Sequence, residues 1–384
     1  MFRSAHLLCA TIFIAACFAC AQLPPGPPIQ TTAATCPGGS AFLDHVKFVQ
    51  NGLPPPSSDP NNPPIAPPPG TGTPIANTIY AQAVQNAFSL APPRFQTTLC
   101  GLSAIYVNGP TTCSTLGDCI GNSWGFRVWR TAPQAPETYI AITAGLWSLP
   151  PCTSGSPPPQ SYVYHCFETD LLNAVLGSNP HFFQYSSANA AADNFDTAIL
   201  AALAHEVAHA QWYRVMAPNG PGVLGYNPNN FLCTSNPGMP SFFSYSWSPS
   251  VQRAPVWRVF LTLDKRNHGF GAPDVHSVPP QIRAIDGLVN AGNMTRAADF
   301  LEELYRPAQP WASYFAAISP DEDFVETYKF YVLTNAQSVT SLNEGPLTSL
   351  PIQIAGIPHD IPSDYLAGNK PLLSSKTQCI APVI

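Results

Sequence analysis

His205-Glu206-Val207-Ala208-His209 sets two imidazoles and a carboxylate within about one turn of a stretch that reads as helix. At about 3.6 residues per turn, histidines four apart lie roughly 40° apart on one face, so both rings can reach one metal ion. Glu206 falls about 100° from His205, beside such an ion, where a carboxylate can take a proton from a water that the metal has acidified. The spacing therefore predicts His205 and His209 as ligands of Zn²⁺ and Glu206 as the general base. A catalytic zinc takes three protein ligands and keeps one position open. His209 is followed by Ala-Gln-Trp-Tyr-Arg, which offers no further histidine, so the third ligand must come from elsewhere in the chain. Ser319-Pro320-Asp321-Glu322-Asp323-Phe324-Val325-Glu326 is the first choice: a capped helix start with acids four apart on one face. Glu322 is expected to bind the metal, and Glu326, one turn on, to accept the N–H of a ligating imidazole and fix its tautomer. Acids in a first helical turn also serve the helix dipole. Glu302 and Glu303 are the rivals for the third ligand, followed by His268 and His276. Tyr314 and His276 are candidates for donating to a developing oxyanion.

The elements that must carry these groups are partly legible. Asp196 to Val215 reads as a helix that is apolar nearly all round (Ile199, Leu200, Leu203 and Val207 on one side, Ala201, Ala202 and Ala208 on the other), which is the pattern of a buried helix. Asp193, Asn194 and Asp196 supply cap candidates and first-turn charge, Arg214 sits in the last turn, and Pro218 forbids extension. Ile75 to Leu90 suits an amphipathic helix, and Tyr162 to Leu176 another. Leu102–Val107, Trp124–Trp129 and Thr138–Thr143 read as strands separated by Pro, Gly and Cys-bearing loops. Helical character returns at Pro280–Ala291, Thr295–Tyr305 and Pro320–Leu333. The order of helix, strands, motif helix and further helices predicts an α+β fold with a small sheet.

Arg3, the apolar run Leu7–Phe18 and Ala19-Cys20-Ala21 read as a secretory signal over residues 1–21. Residues 22–75 are a proline-rich lead-in, within which Ala41–Val49 could pack on the main domain. Residues 76–384 form the catalytic domain, with a long irregular insertion at 217–280. Of 11 cysteines, removal of the signal takes Cys9, Cys17 and Cys20 and leaves eight, an even number suited to disulfides in an exported chain. The alternative, a lipoprotein anchored at Cys17, would leave Cys20 as an odd thiol. Cys113 with Cys119 and Cys152 with Cys166 are the expected local pairs. The expected location is secreted or periplasmic, with no membrane span once the signal is gone.

Only 10% of residues are charged, and the formal net charge is −6. Sixteen scattered Lys and Arg make no basic stripe, which argues against nucleic acid as a partner.

With HExxH joined by Glu322-Asp323-Phe324-Val325-Glu326, the chain resembles the gluzincin metallopeptidases, in which the third ligand is a glutamate on a separate helix. Tyr139 to Trp147, followed later by Leu200 to His209, is similar to the M48-type arrangement of edge strand, Gly-Leu turn and motif helix. The resemblance implies a zincin-like domain acting on peptide or protein substrates, with Thr138–Thr143 as the edge strand on which an extended peptide docks. The gap of 113 residues from His209 to Glu322 and the glutamate at position 326 depart from that pattern. The expected activity is that of a zinc metalloendopeptidase. The alternative is a catalytically silent secreted binding protein on the same scaffold, with an adhesive aromatic surface at 217–280.

Overall fold

The computed structural model describes residues 34–53, 67–68, 70–109, 123–128, 137–149, 162–169, 184–185, 192–216, 233, 242–246, 280–317 and 320–384. All lie in one contact unit, Ala33–Ile384. The expected pairing Cys113–Cys119, most of the 217–280 stretch and His268 and His276 fall outside these residues, as does the 1–21 leader.

Among the described residues, the sheet that matters for the site has five strands. They are β1 (Val46–Val49), β2 (Thr73–Pro74), β3 (Ala104–Asn108), β4 (Trp124–Val128) and β5 (Glu137–Thr143), in the order β2-β1-β3-β5-β4. β1, β3 and β5 run parallel, and β4 pairs antiparallel with β5, Gly125 opposite Ile140 and Phe126 opposite Tyr139. All five residues of β3 are buried, as are Tyr139 to Thr143 of β5. Covered on both faces, parallel strands read as unbroken apolar runs with no alternation. This corrects one expectation. Thr138–Thr143 is not the edge: β5 is flanked by β3 and β4, and among the described residues the edge strand beside it is β4. The stretch Ala41–Val49 does join the fold, as a 3₁₀ turn at Phe42–His45 leading into β1.

The helices with described bounds are α1 (Ala81–Leu90), α2 (Pro93–Cys100), α3 (Phe195–Met216), α4 (Pro280–Asn290), α5 (Met294–Tyr305), α6 (Pro320–Thr334), α7 (Ile361–Leu366) and α8 (Pro371–Ile380). A mixed α+β architecture results. α3 is the central element: it packs on β4 and β5, on α1 and most extensively on α6. That explains its composition, for Ala198 to Ala204 are all buried. Asn194 caps it, its Oδ1 accepting the Thr197 N–H at 2.9 Å. Asp193 is used differently, taking the backbone N–H of His165 at 2.9 Å and lying 2.5 Å from His165 Nδ1, which ties the helical segment 164–169 to the start of α3.

The C-terminal part, which the sequence pattern left unassigned, adds a small sheet of β6 (Gln184–Tyr185), β7 (Ile352–Ile354) and β8 (Ile357–His359), followed by α7 and α8. α8 packs on α6. Its Lys376, fully buried, donates to the buried carboxylate of Asp323 and to the Pro310 carbonyl at 3.0 Å, with the Phe242 and Trp311 rings about it. Disulfides join Cys36 to Cys100 and Cys233 to Cys379. Cys166 is also disulfide-bonded, and its expected partner Cys152 lies outside the described residues. Among the described residues no helix is long and apolar enough to cross a membrane. Disulfides persist in oxidising compartments, so these bonds are compatible with a non-cytoplasmic location.

Candidate metal site

α3 and α6 run against one another, and their contact brings three polar groups into a largely apolar interior. His205, His209 and Glu322 offer ligand atoms that all lie within 4.8 Å of one another, and all three residues are buried. The two Nε2 atoms stand 3.2 Å apart; Glu322 Oε2 is 3.8 Å from the His205 Nε2, and Oε1 is 3.6 Å from the His209 Nε2. A tetrahedral ion with bonds of about 2.0–2.1 Å holds its ligand atoms roughly 3.3 Å apart. The spacings within the group are of that size, so the group could hold a metal ion.

Charge favours the same conclusion. Burial, with the neighbouring charge of His205, pushes the His209 pKa well below the ordinary imidazole value, which keeps the ring neutral. A neutral imidazole is the form that ligates. Burial pushes Glu322 well above the usual carboxylate range, and the nearby Asp321, Glu326 and Glu206 add to the rise. Glu206 is raised well above that range by burial alone. An acid this costly to ionise in place becomes affordable beside a cation, because buried charge persists when paired or metal-bound.

Behind His205 stands a second layer. Its Nδ1 lies 2.9 Å from Glu326 Oε1, so the proton sits on Nδ1 and Nε2 faces the other two groups. The other oxygen of Glu326 accepts from Ser313 Oγ at 2.5 Å and from Lys329 Nζ at 2.8 Å. Burial alone would raise Glu326, but Lys329 and His205 outweigh it and hold the carboxylate below its usual range. Lys329 is itself 2% exposed, and Glu168 and Glu326 raise its pKa against the opposing effect of burial. Its ammonium also donates to Glu168, whose Oε1 accepts from the Tyr164 hydroxyl at 2.7 Å.

The sequence-derived candidates divide cleanly. His205, His209, Glu206, Glu322 and Glu326 come together at the α3–α6 contact. Glu302 does not join them: on α5 it binds Arg306 at 2.8 Å and lies 3.4 Å from His359 Nε2. Glu303 is a partly exposed residue of the same helix. His268 and His276 are outside the described residues. Tyr314 lines a small cavity of about 40 Å³ with Tyr164, Glu168, Ser313 and Phe315, and none of the three metal-group residues borders it. Lys329, Ser313 and Glu168 were missed by sequence reasoning. Lys329 had a signal, its i+3 spacing from Glu326 on a helix; Ser313 and Glu168 reach the site through tertiary folding and carry no local sign. Compared with protein-family models, curated proteins and solved structures, the chain gives no match.

Proposed function

We propose that this chain is a secreted zinc-dependent metallopeptidase of gluzincin type, with His205, His209 and Glu322 as metal ligands and Glu206 as general base. The observation that carries the proposal is the meeting of His205, His209 and Glu322 at ligand spacing on two separate buried helices. Bound zinc would supply Lewis acidity, polarising a carbonyl and acidifying a water. Glu206 is the proton carrier: buried beside the ligands, with its pKa driven upward, it is suited to take a proton from the attacking water and return it to the leaving nitrogen. Glu326, fixed by Ser313 and Lys329, keeps the His205 proton on Nδ1 and its lone pair on Nε2. β4 supports docking of an extended peptide, since among the described residues it is paired along one side only and packs on α3.

The test is Glu206→Gln. The variant is expected to retain one zinc per chain by metal analysis and to lose about 10²- to 10⁴-fold in hydrolysis of unfolded casein. Wild-type hydrolysis should stop with 1,10-phenanthroline. Undiminished turnover in Glu206→Gln overturns the base assignment; a zinc-loaded wild type that cuts nothing favours a silent binding protein.

A further inference from the structure

A glycine sits where β4 crosses the motif helix. A Cβ built on Gly125 would fall on the carbonyl oxygen of Glu206, well inside van der Waals contact, with the Glu206 carbonyl carbon at 2.7 Å and the His209 Cβ at 3.2 Å. Backbone φ does not require glycine here, because Gly125 is not among the positive-φ positions. The requirement is space. The two nearest obstructing atoms are backbone in the interior of α3, and the third is a Cβ, so no rotamer change can relieve the clash. Strand and helix thus meet backbone to backbone at the turn that holds Glu206 and His209.

We propose that Gly125 is a positioning residue: it seats the edge strand directly on the Glu206–His209 turn and so fixes the height at which a substrate strand passes the metal group. The proposal rests on the peptidase function above and adds what sets substrate position within it. Any side chain at 125 must push β4 outward by well over an ångström to restore ordinary contact. Reacting groups tolerate little of that, since a misplacement of about 1 Å can cost on the order of 10²-fold in rate. The ligands sit on α3 and α6, not on β4, so metal binding should survive the displacement.

The sheet contains a matched control. A Cβ on Gly109, just past β3, would likewise fall on a carbonyl oxygen, that of Gln50, with the Gln50 carbonyl carbon at 2.9 Å and the Val49 carbonyl oxygen at 3.2 Å. Gly109→Ala therefore delivers a similar backbone clash at the β1–β3 contact. The experiment compares Gly125→Ala, Gly109→Ala and wild type for zinc content, peptide kcat and KM, and inhibition by acetohydroxamate, a probe that meets the metal alone. Expected are unchanged zinc and acetohydroxamate affinity in all three, and a kcat about a hundredfold lower in Gly125→Ala alone. Equal kcat in the two variants, whether both retained or both lost, overturns the positioning role. A second measurement needs neither hydrolysis nor a folded variant: hydrogen exchange of the native chain. Zinc loading should slow exchange of the Trp124–Val128 amides more than that of Val46–Val49. Equal effects on both strands overturn the proposal even if the chain proves to be no peptidase.

Discussion

Glu326→Gln tests the layer behind the metal group most directly. The native carboxylate meets three donors: the His205 Nδ1–H at Oε1, and the Ser313 hydroxyl and Lys329 ammonium at Oε2. A glutamine offers one acceptor oxygen and one donating NH₂ in their place. The ammonium has no lone pair, so the amide oxygen must turn toward Lys329 and the NH₂ toward His205. A donor against Nδ1 drives the His205 proton to Nε2, the atom that faces His209 and Glu322. The lone pair needed for the metal is then lost unless the ring reorients. A charge-assisted hydrogen bond of this kind contributes about 1.5–3 kcal/mol. At about 1.4 kcal/mol per tenfold, zinc should bind roughly 10- to 150-fold more weakly. Chelator competition measures that change, and nitrogen NMR of histidine-labelled apoprotein reports the tautomer. A Glu326→Gln variant that keeps its Nδ1 proton and binds zinc within twofold of wild type would refute the reasoning.

Two further predictions concern the frame around the site. Lys376→Met leaves the Asp323 carboxylate buried without its cation, next to Glu322 in the chain; removing one partner of a buried pair should cost about 3–5 kcal/mol, read as a lower urea midpoint, with Asp323→Leu in the same chain recovering part of it. Glu344 has its pKa raised to about 8, by burial first and then by the charge of Asp196. The native state therefore holds that proton more tightly than the unfolded chain. The stabilisation is present below the unfolded value near 4.5 and is lost as pH rises through about 8. Glu344→Gln should thus be the more stable protein at pH 8 to 9, by roughly 1 kcal/mol once solvent screening of this partly exposed group is allowed for, and the advantage should vanish below about pH 4.5. Thermal melts across that range decide it; a constant difference at all pH values would show that the acid's ionisation is not the cause.

Much of the site was legible because it is built from helical spacing. His205 and His209 four apart, and Glu322 and Glu326 four apart, each define one face of a helix, and a face is local information. The bounds of α3 followed from composition and caps: Asp196–Val215 expected, Phe195–Met216 found. Which two faces meet is long-range information. Which of Glu322 and Glu302 comes near the histidines was open in sequence; the fold brings Glu322 to them and sets Glu302 beside Arg306 and His359. Strand order was less legible still. β4 and β5 are both nearly continuous buried runs, so neither shows the alternation that betrays a one-sided edge. One local sign did exist. An isolated glycine between Trp124 and Phe126 marks close backbone approach, and it sits on the strand that lies against the helix.

The distribution of charge ties fold and chemistry together. The chain carries only 38 charged residues, 16 basic and 22 acidic, so acids placed indoors stand out. Glu206, Asp321, Glu322, Asp323 and Glu326 are all buried on α3 and α6. The fold spends two of its buried lysines here, Lys376 on Asp323 and Lys329 on Glu326. Glu206 and Glu322 are treated otherwise: burial raises both, and the charge of Glu206 adds to the rise at Glu322, beside two imidazoles. Ionising a carboxylate in such an interior is costly unless a positive charge stands close by. A cation held between His205, His209 and Glu322 would offset that cost with the atoms already present. Metal binding should therefore raise thermal stability, by an amount that grows with the logarithm of free zinc. A melting temperature indifferent to zinc would mean that the buried acids are neutralised by protons instead, and that the group holds no ion.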